Sequence, residues 1–292
     1  MLQTKLRFPP PPRSVTPPCI FYVPHSSSVC RYPCGKIQHL IAFVQALARF
    51  WPRLGKARST MKLISVNVGL PREVTWHHTI VTTGIFKQPV SGHVVLRKLN
   101  LDGDRQADLR VHGGEYKAVY CYPVEHYAYW KKELPGRDLP FAIFGENFTT
   151  EGFLEDSVHL GDRFAVGSAE VVVTQPRLPY YKLGVRFESD DMVKRFLASA
   201  RTGFYLKVTR EGEAGAGDEI ELLSRDPSPV PVSEITRLFV ANPAARGETL
   251  SDEDAAVVHR ALKVAAFPES WKSYFRERLP KRVAPRDQFE RG

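Results

Sequence analysis

The sequence predicts a mainly β protein, a barrel with a few peripheral helices followed by a small three-helix module. Three observations carry that expectation. Short runs rich in Val, Ile and Thr recur from Met61 onward, separated by Gly and Pro. Gly-Asp pairs punctuate them at Gly103-Asp104, Gly161-Asp162 and Gly217-Asp218, where Gly supplies positive φ and Asp bonds its own backbone. After Arg225 the stretch DPSPVPV is a proline linker, and the text beyond it turns wholly helical. Many short strands with few helices favour closure, because a closed barrel has no sticky edges.

Taken in order, strands are expected at Met61 to Val68, Val74 to Val81 and His93 to Leu99. Pro123 then suits a first helical turn, and Val124, Tyr127, Ala128, Trp130 and Leu134 recur at helical spacing. Further strands are expected at Ser157 to Leu160, Arg163 to Val166, Glu170 to Thr174, Gly203 to Arg210 and Glu219 to Ser224. Asp190 to Ala200 reads as an amphipathic helix with Asp190 and Asp191 at its positive end. Pro231 to Val240, Ser251 to Ala266 and Pro268 to Leu279 form the helical module, with Ser251 as an N-terminal cap. So short a module buries little surface alone, so it is expected to pack on the barrel or on a second subunit. The division expected is 1–60 leader or over-extended gene start, 61–226 barrel, 230–280 helical module and 281–292 tail.

The 292 residues carry 41 Lys plus Arg against 32 Asp plus Glu. Residues 1–60 hold nine of those basic side chains and no acid, so residues 61–292 balance at 32 of each sign. A neutral domain argues against a nucleic-acid partner, which would need its positive field on the folded part. No run of about 18 apolar residues exists, so no membrane span is expected. The first sixty residues also hold nine prolines and end in an apolar run, Ile37 to Trp51. Such a segment is read as a transit peptide, a late-placed secretory signal, or codons upstream of a true start at Met61; the last is the expectation, since Met61 opens a strand directly. Cys19, Cys30, Cys34 and His39 lack the C-x2-C spacing of a zinc knuckle, so no zinc site is expected there. With Cys121 the sole cysteine of the body, no disulfide framework arises and a reducing cytoplasm is the default.

Three stretches could carry chemistry. In Gly103 to Tyr122 a His before two glycines, His112, lets backbone approach closely while Arg105, Arg110 and Lys117 add charge; a tight turn with surface cations explains it as well. In Phe144 to Thr150 Glu146 and Asn147 follow a Gly that could bring them to a ligand, and an Asx turn would explain Asn147 equally. In Thr174 to Phe187 two prolines fix an extended loop on which Arg177, Lys182 and Arg186 could converge on an anion, or simply face solvent.

The order of these motifs, V-H-G-G, Y-P-x-E-H-Y-x-Y-W, F-G-E-N-x-x-T-x-G and Q-P-R-x-P-x-Y-K-L, resembles the MOSC domain (molybdenum cofactor sulfurase C-terminal domain), and within it the YiiM-like branch. The resemblance spans about Met61 to Leu279, because that branch carries a three-helix "3-alpha" module behind its barrel. It implies a barrel that binds the molybdenum–pterin cofactor and an oxidoreductase that reduces N-hydroxylated or N-oxygenated small molecules. Electrons would come from a separate flavin or iron–sulfur reductase, and a homodimer is compatible. A pyridoxal-phosphate association travels with the family as inherited wording. His112, Arg177 and Lys182 match the family's basic positions and would clamp the anionic cofactor, with Glu146 and Asn147 bonding or orienting. One position departs. The family's loop reads Q-P-R-x-P-C, its Cys thiolate being the expected molybdenum ligand, and here Tyr180 stands there as candidate ligand and catalytic residue. A phenol, with an ordinary pKa of about 10, must lose its proton to ligate. The alternative is therefore a non-catalytic cofactor or sulfur carrier.

Overall fold

The computed structural model describes residues 60–107, 113–241 and 249–279. The expectations placed on residues 1–59, the set of Cys19, Cys30, Cys34 and His39 among them, and on the tail lie outside the described residues. Strand β1 (Met61–Val68) is followed by β2 (Arg72–Trp76), β3 (Thr79–Thr83), β4 (Gln88–Val90) and β5 (His93–Leu96). Next come β6 (Val119–Pro123), β7 (Phe148–Glu151), β8 (Arg163–Val166) and β9 (Ala169–Pro176). The last are β10 (Phe204–Arg210), β11 (Gly212–Gly215) and β12 (Glu219–Ser224).

Seven of these close on themselves in the order β1, β12, β8, β9, β10, β6, β7 and back to β1. The closing seam pairs Met61 with Ile220 and Lys62 with Glu219. Every pairing in the ring is antiparallel except that of β6 with β7. Closure leaves no free edge in the ring, and β4 adds outside it along Val66 to Val68. The interior is filled by inward residues of alternating strands, with Phe153 set edge-on to Phe164 (4.8 Å) and Phe204 (5.0 Å).

Strand β6 is buried on both faces, and its alternation sorts two cores. Val119 and Cys121 join the barrel interior, whereas Tyr120 and Tyr122 join an aromatic layer outside it. Helices α1 (Glu125–Glu133), α2 (Tyr181–Phe187) and α3 (Met192–Ala198) cover that layer. Trp130 of α1 donates its indole N–H to the Tyr122 hydroxyl at 2.6 Å and stacks on Phe196 of α3 at 5.6 Å. No helix among the described residues is long and apolar enough to cross a membrane.

Four expectations are corrected. Val74 to Val81 is a hairpin, β2 turning into β3 at His77 and His78, which both take positive φ (46° and 61°). A two-residue turn of this kind usually announces itself with Asn or Gly, and here two histidines occupy it without that signal. Ser157 to Leu160 forms no strand; His159 makes one isolated bridge to Pro231. The strand expected over His93 to Leu99 stops at Leu96, where Arg97 N–H turns to the Asn100 carbonyl. The expected loop over Thr174 to Phe187 is strand to Pro176 and then helix α2, whose Leu183, Val185 and Phe187 are buried. Packing, not propensity, makes that helix, since its sequence YKLGVRF mixes Gly with a β-branched residue.

Beyond β12, α4 (Val232–Ala241), α5 (Asp252–Ala261) and α6 (Glu269–Arg276) form the helical module. Ser251 caps α5, its hydroxyl accepting from the Asp254 N–H at 3.1 Å. The module has no core of its own. Ile235, Val258, Phe267 and Phe275 belong to the same apolar cluster as the barrel residues Leu63, Val171 and Val173. A backbone link runs from Val232 N–H to the Val158 carbonyl (3.0 Å), and Trp271 of α6 donates to Gln175 of β9 at 2.5 Å. Trp271→Ala is therefore expected to cost about 3–5 kcal/mol, and barrel and module should still unfold in one transition. Urea unfolding followed by both circular dichroism and tryptophan fluorescence checks this; two separated transitions would contradict the shared core.

Candidate functional site

A cleft opens on the barrel's side where the loop after β3, the loop after β5, β6, the turn before β7 and the β9–α2 connection meet. It encloses about 750 Å³ of empty space, counting the part open to solvent. Among the described residues its charged lining comprises five cations, Lys87, Arg105, Lys117, Arg177 and Lys182, against one carboxylate, Asp104. The described lining is thus richer in cations than in carboxylates, on a domain whose charges balance.

Backbone constraints put Arg177 at its wall. Strand β9 ends at Pro176, which pairs with Phe204, and the next N–H, that of Arg177, bonds the Gly203 carbonyl at 3.0 Å. Gly203 has φ 66°, and a Cβ there would sit 2.3 Å from the Cys121 carbonyl oxygen, so only Gly lets β10 begin this close to β6. That approach sets the Arg177 guanidinium 4.6 Å from the Tyr120 ring and 5.3 Å from the Phe196 ring. The side chain is buried, with 8% of the residue exposed, and its hydrogen bond to the Tyr120 hydroxyl is a long one, 3.4 Å.

No carboxylate forms an ion pair with Arg177 among the described residues. Burial acts against its charge, and the Tyr120 and Tyr205 phenols outweigh that effect, holding its pKa above the usual value. Those phenols are themselves pushed up by burial, so near neutral pH they give Arg177 dipoles rather than a counter-charge. A buried cation that no described carboxylate neutralises still carries the cost of its lost solvation. A group bearing negative charge in the cleft would offset that cost.

Asn147 rivets the floor. Its N–H donates to the Tyr120 carbonyl (2.8 Å), its Oδ1 accepts from the Tyr120 N–H (3.1 Å), and its Nδ2 donates to Asp104 Oδ2 (2.9 Å). The partners lie far away in sequence, so this is a tertiary clamp and not an Asx turn. Asp104 in turn accepts from the Gly69 N–H at 3.0 Å and pairs closely with the buried Lys87 ammonium. Burial lowers the Lys87 pKa, opposed by Asp104. Glu146 turns away from the cleft. Its carboxylate accepts from Ala142 N–H (2.9 Å), Phe144 N–H (3.1 Å), Thr149 Oγ1 (3.1 Å) and the Tyr127 hydroxyl, and so fixes the turn that presents Gly145 and Asn147. Its pKa is raised by burial.

Of the residues expected from sequence, Asn147, Arg177, Tyr180 and Lys182 meet at this cleft, and Glu146 lies behind it. Tyr180 stands at the rim, 53% exposed, with its ring 4.8 Å from that of Tyr181. His112 lies outside the described residues. Arg186 does not line it. Sequence reasoning missed Lys87, Tyr120 and Tyr205 as wall residues and took Asp104 for turn punctuation; its Gly-Asp turn is real, with Gly103 at φ 81°, but its carboxylate also faces the cleft. Cys121 is fully buried in the barrel core, where burial pushes its thiol pKa up, so it offers no thiolate to the cleft. No group of three or more His, Cys, Asp or Glu suited to a metal ion exists among the described residues.

Comparison with known proteins agrees with this architecture. The MOSC domain family profile matches residues 108–221. The uncharacterized protein YflK of Bacillus subtilis is 38% identical over 213 residues, 73% of this chain and 92% of YflK. A protein named Reductase from Gibberella moniliformis is 32% identical over 148 residues, 50% of this chain and 26% of that protein. The crystal structure of YiiM from Geobacillus stearothermophilus superimposes with a TM-score of 0.60 at 31% identity, covering 75% of this chain and all of that one.

If Arg177 is an uncompensated cation, Arg177→Met should stabilise the cofactor-free protein by about 1–4 kcal/mol. Urea unfolding measures it. A loss of about 3 kcal/mol or more would contradict that reading and show that the Tyr120 and Phe196 contacts already compensate the charge.

Proposed function

The chain belongs to the MOSC domain family, in its YiiM-like group, and we propose that it binds the molybdenum cofactor and reduces N-hydroxylated or N-oxygenated small molecules. The observation that carries cofactor binding is the buried guanidinium of Arg177, set in a cleft whose described lining has five cations and one carboxylate. A pterin bearing a phosphate and an oxo-metal centre is polyanionic, and that donor set suits it. Gly145 keeps this wall closed, since a Cβ there would meet the Ile85 side chain at 2.7 Å. Reduction rests on the family resemblance and on the similarity to the fungal protein named Reductase.

Arg177 would hold the cofactor's anionic end, with Lys117 and Lys182 adding charge from the facing walls. Asn147 keeps Asp104 and β6 in register beneath it. When bound, the cofactor supplies a metal centre able to pass two electrons to a substrate N–O group. A hydroxylamine that takes up two electrons and two protons gives the amine and one water, the N–O bond being the one that breaks, so protons must reach the substrate. Lys87 Nζ holds a proton on the cleft wall, in a pair with Asp104. The electrons would come from a separate reductase of the flavin or iron–sulfur class.

A specific observation favours a second reading. Among the described lining residues there is no thiolate, and Tyr180 stands where the family carries its cysteine. A chain that keeps the anion clamp without the metal ligand would carry or store the cofactor. Molybdenum and pterin content of the purified protein, with a reduction assay on an N-hydroxylated base, separates the two. Cofactor bound with turnover supports the reductase, and cofactor bound without turnover supports the carrier. Tyr180→Cys is expected to raise molybdenum retention or turnover; no change in either would contradict a role for this position at the metal.

A further inference from the structure

Most arginines of the barrel and module find an acid. Arg97, Arg163, Arg195, Arg210, Arg237 and Arg276 all lie within 4 Å of a carboxylate. Among the described residues Arg72, Arg105, Arg137, Arg177, Arg186, Arg201 and Arg260 have no such carboxylate, and three of them, Arg72, Arg137 and Arg186, lie over the Phe86 and Phe187 rings. The Arg72 guanidinium carbon lies 3.8 Å and that of Arg186 4.9 Å from the centre of the same ring, Phe86. Arg137 lies 5.0 Å from the Phe187 ring, beside Arg186 in sequence, and donates to the Phe187 carbonyl at 2.8 Å. The acid that acts on Arg186 is Glu146, whose oxygens are already committed to the turn it fixes.

Three like charges with no described carboxylate within 4 Å repel one another. The Arg186 pKa is accordingly held below the usual value, first by burial and then by Arg72, with Arg137 adding to the effect. Independently of charge, the Arg186 Nε is buried and has no hydrogen-bond partner. A buried donor left unmade is costly in a native protein and calls for a ligand or water. Aromatic rings hold these guanidiniums in place while leaving N–H groups for a planar or tetrahedral oxyanion.

We propose that Arg72, Arg137 and Arg186 form a second oxyanion subsite that takes a phosphate group. It adjoins the main cleft. Ile85 and Lys87, on either side of Phe86, line that cleft, and so do Lys182 and Leu183, one helical turn before Arg186 on α2. The subsite therefore suits a phosphate on the same ligand that occupies the cleft, as well as free phosphate, and it does not depend on a bound metal.

Isothermal titration of the full chain with inorganic phosphate tests this, in an Arg177→Met background that removes the cleft's buried cation. Phosphate binding should persist there and weaken about tenfold or more in Arg186→Gln, since losing a charge-assisted hydrogen bond is worth about 1.5–3 kcal/mol. Arg72→Gln, at an exposed position of β2, should weaken it as well. A second arm compares a pterin with its phosphate ester. Tighter binding of the ester, lost in the Arg72 and Arg186 variants, places the phosphate on the cleft's ligand; equal ester and phosphate affinities, both weakened by the variants, point to free phosphate. Phosphate affinity unchanged in both variants, or no phosphate binding in the Arg177→Met background, overturns the proposal.

Discussion

A guanidinium that no carboxylate of the described residues pairs with, buried against aromatic rings, is the feature around which the rest of the site is arranged. Arg177 reaches its place because β9 and β10 stay paired through Pro176 and Phe204, and because Gly203 lets β10 approach the Cys121 carbonyl. Tyr120 shields it from one side and Phe196 from another. Burial removes the solvation of this cation, which is the arrangement expected where an anionic ligand supplies charge.

The surroundings support that geometry in layers. Asn147 bonds both backbone groups of Tyr120 and reaches Asp104, so the ring beneath Arg177 and the acid beside Lys87 move as one unit. Glu146 secures the turn from behind. Outside, Trp130 and Phe196 lock Tyr122 and so the outward face of β6. The helical module closes the barrel's other flank through Trp271 and Gln175. A positive cleft on a charge-balanced domain follows from placement alone: acids pair with surface arginines elsewhere, and among the described residues only Asp104 is admitted to the cleft.

Much of the barrel could be read from the chain, because β1, β8, β9, β10 and β12 are runs of β-branched and apolar residues bounded by Gly and Asp turns. Strands β6 and β7 could not, since VYCYP and FTTE are short and draw their stability from each other's non-local, parallel pairing. Helix α2 was hidden for a related reason: Gly184 and Val185 weaken its local signal, and burial of Leu183 and Phe187 restores it. In the site, Arg177, Asn147, Tyr180 and Lys182 stand in motifs legible in the sequence, and all four line the cleft. Lys87 and Tyr205 sit in ordinary strand and loop text, and nothing short of the closed ring brings them to the same cleft. Asp104 announced itself as a turn residue, and its second task is visible only once Lys87 and Asn147 are beside it.

A crystal structure of the cofactor-loaded protein, with molybdenum located by its anomalous scattering, bears on all of this at once. Arg177 should be found within hydrogen-bonding distance of an anionic oxygen of the cofactor in the cleft lined by Asn147 and Lys182. Arg177 paired instead with a carboxylate of the chain, and the cofactor elsewhere or absent, would contradict it.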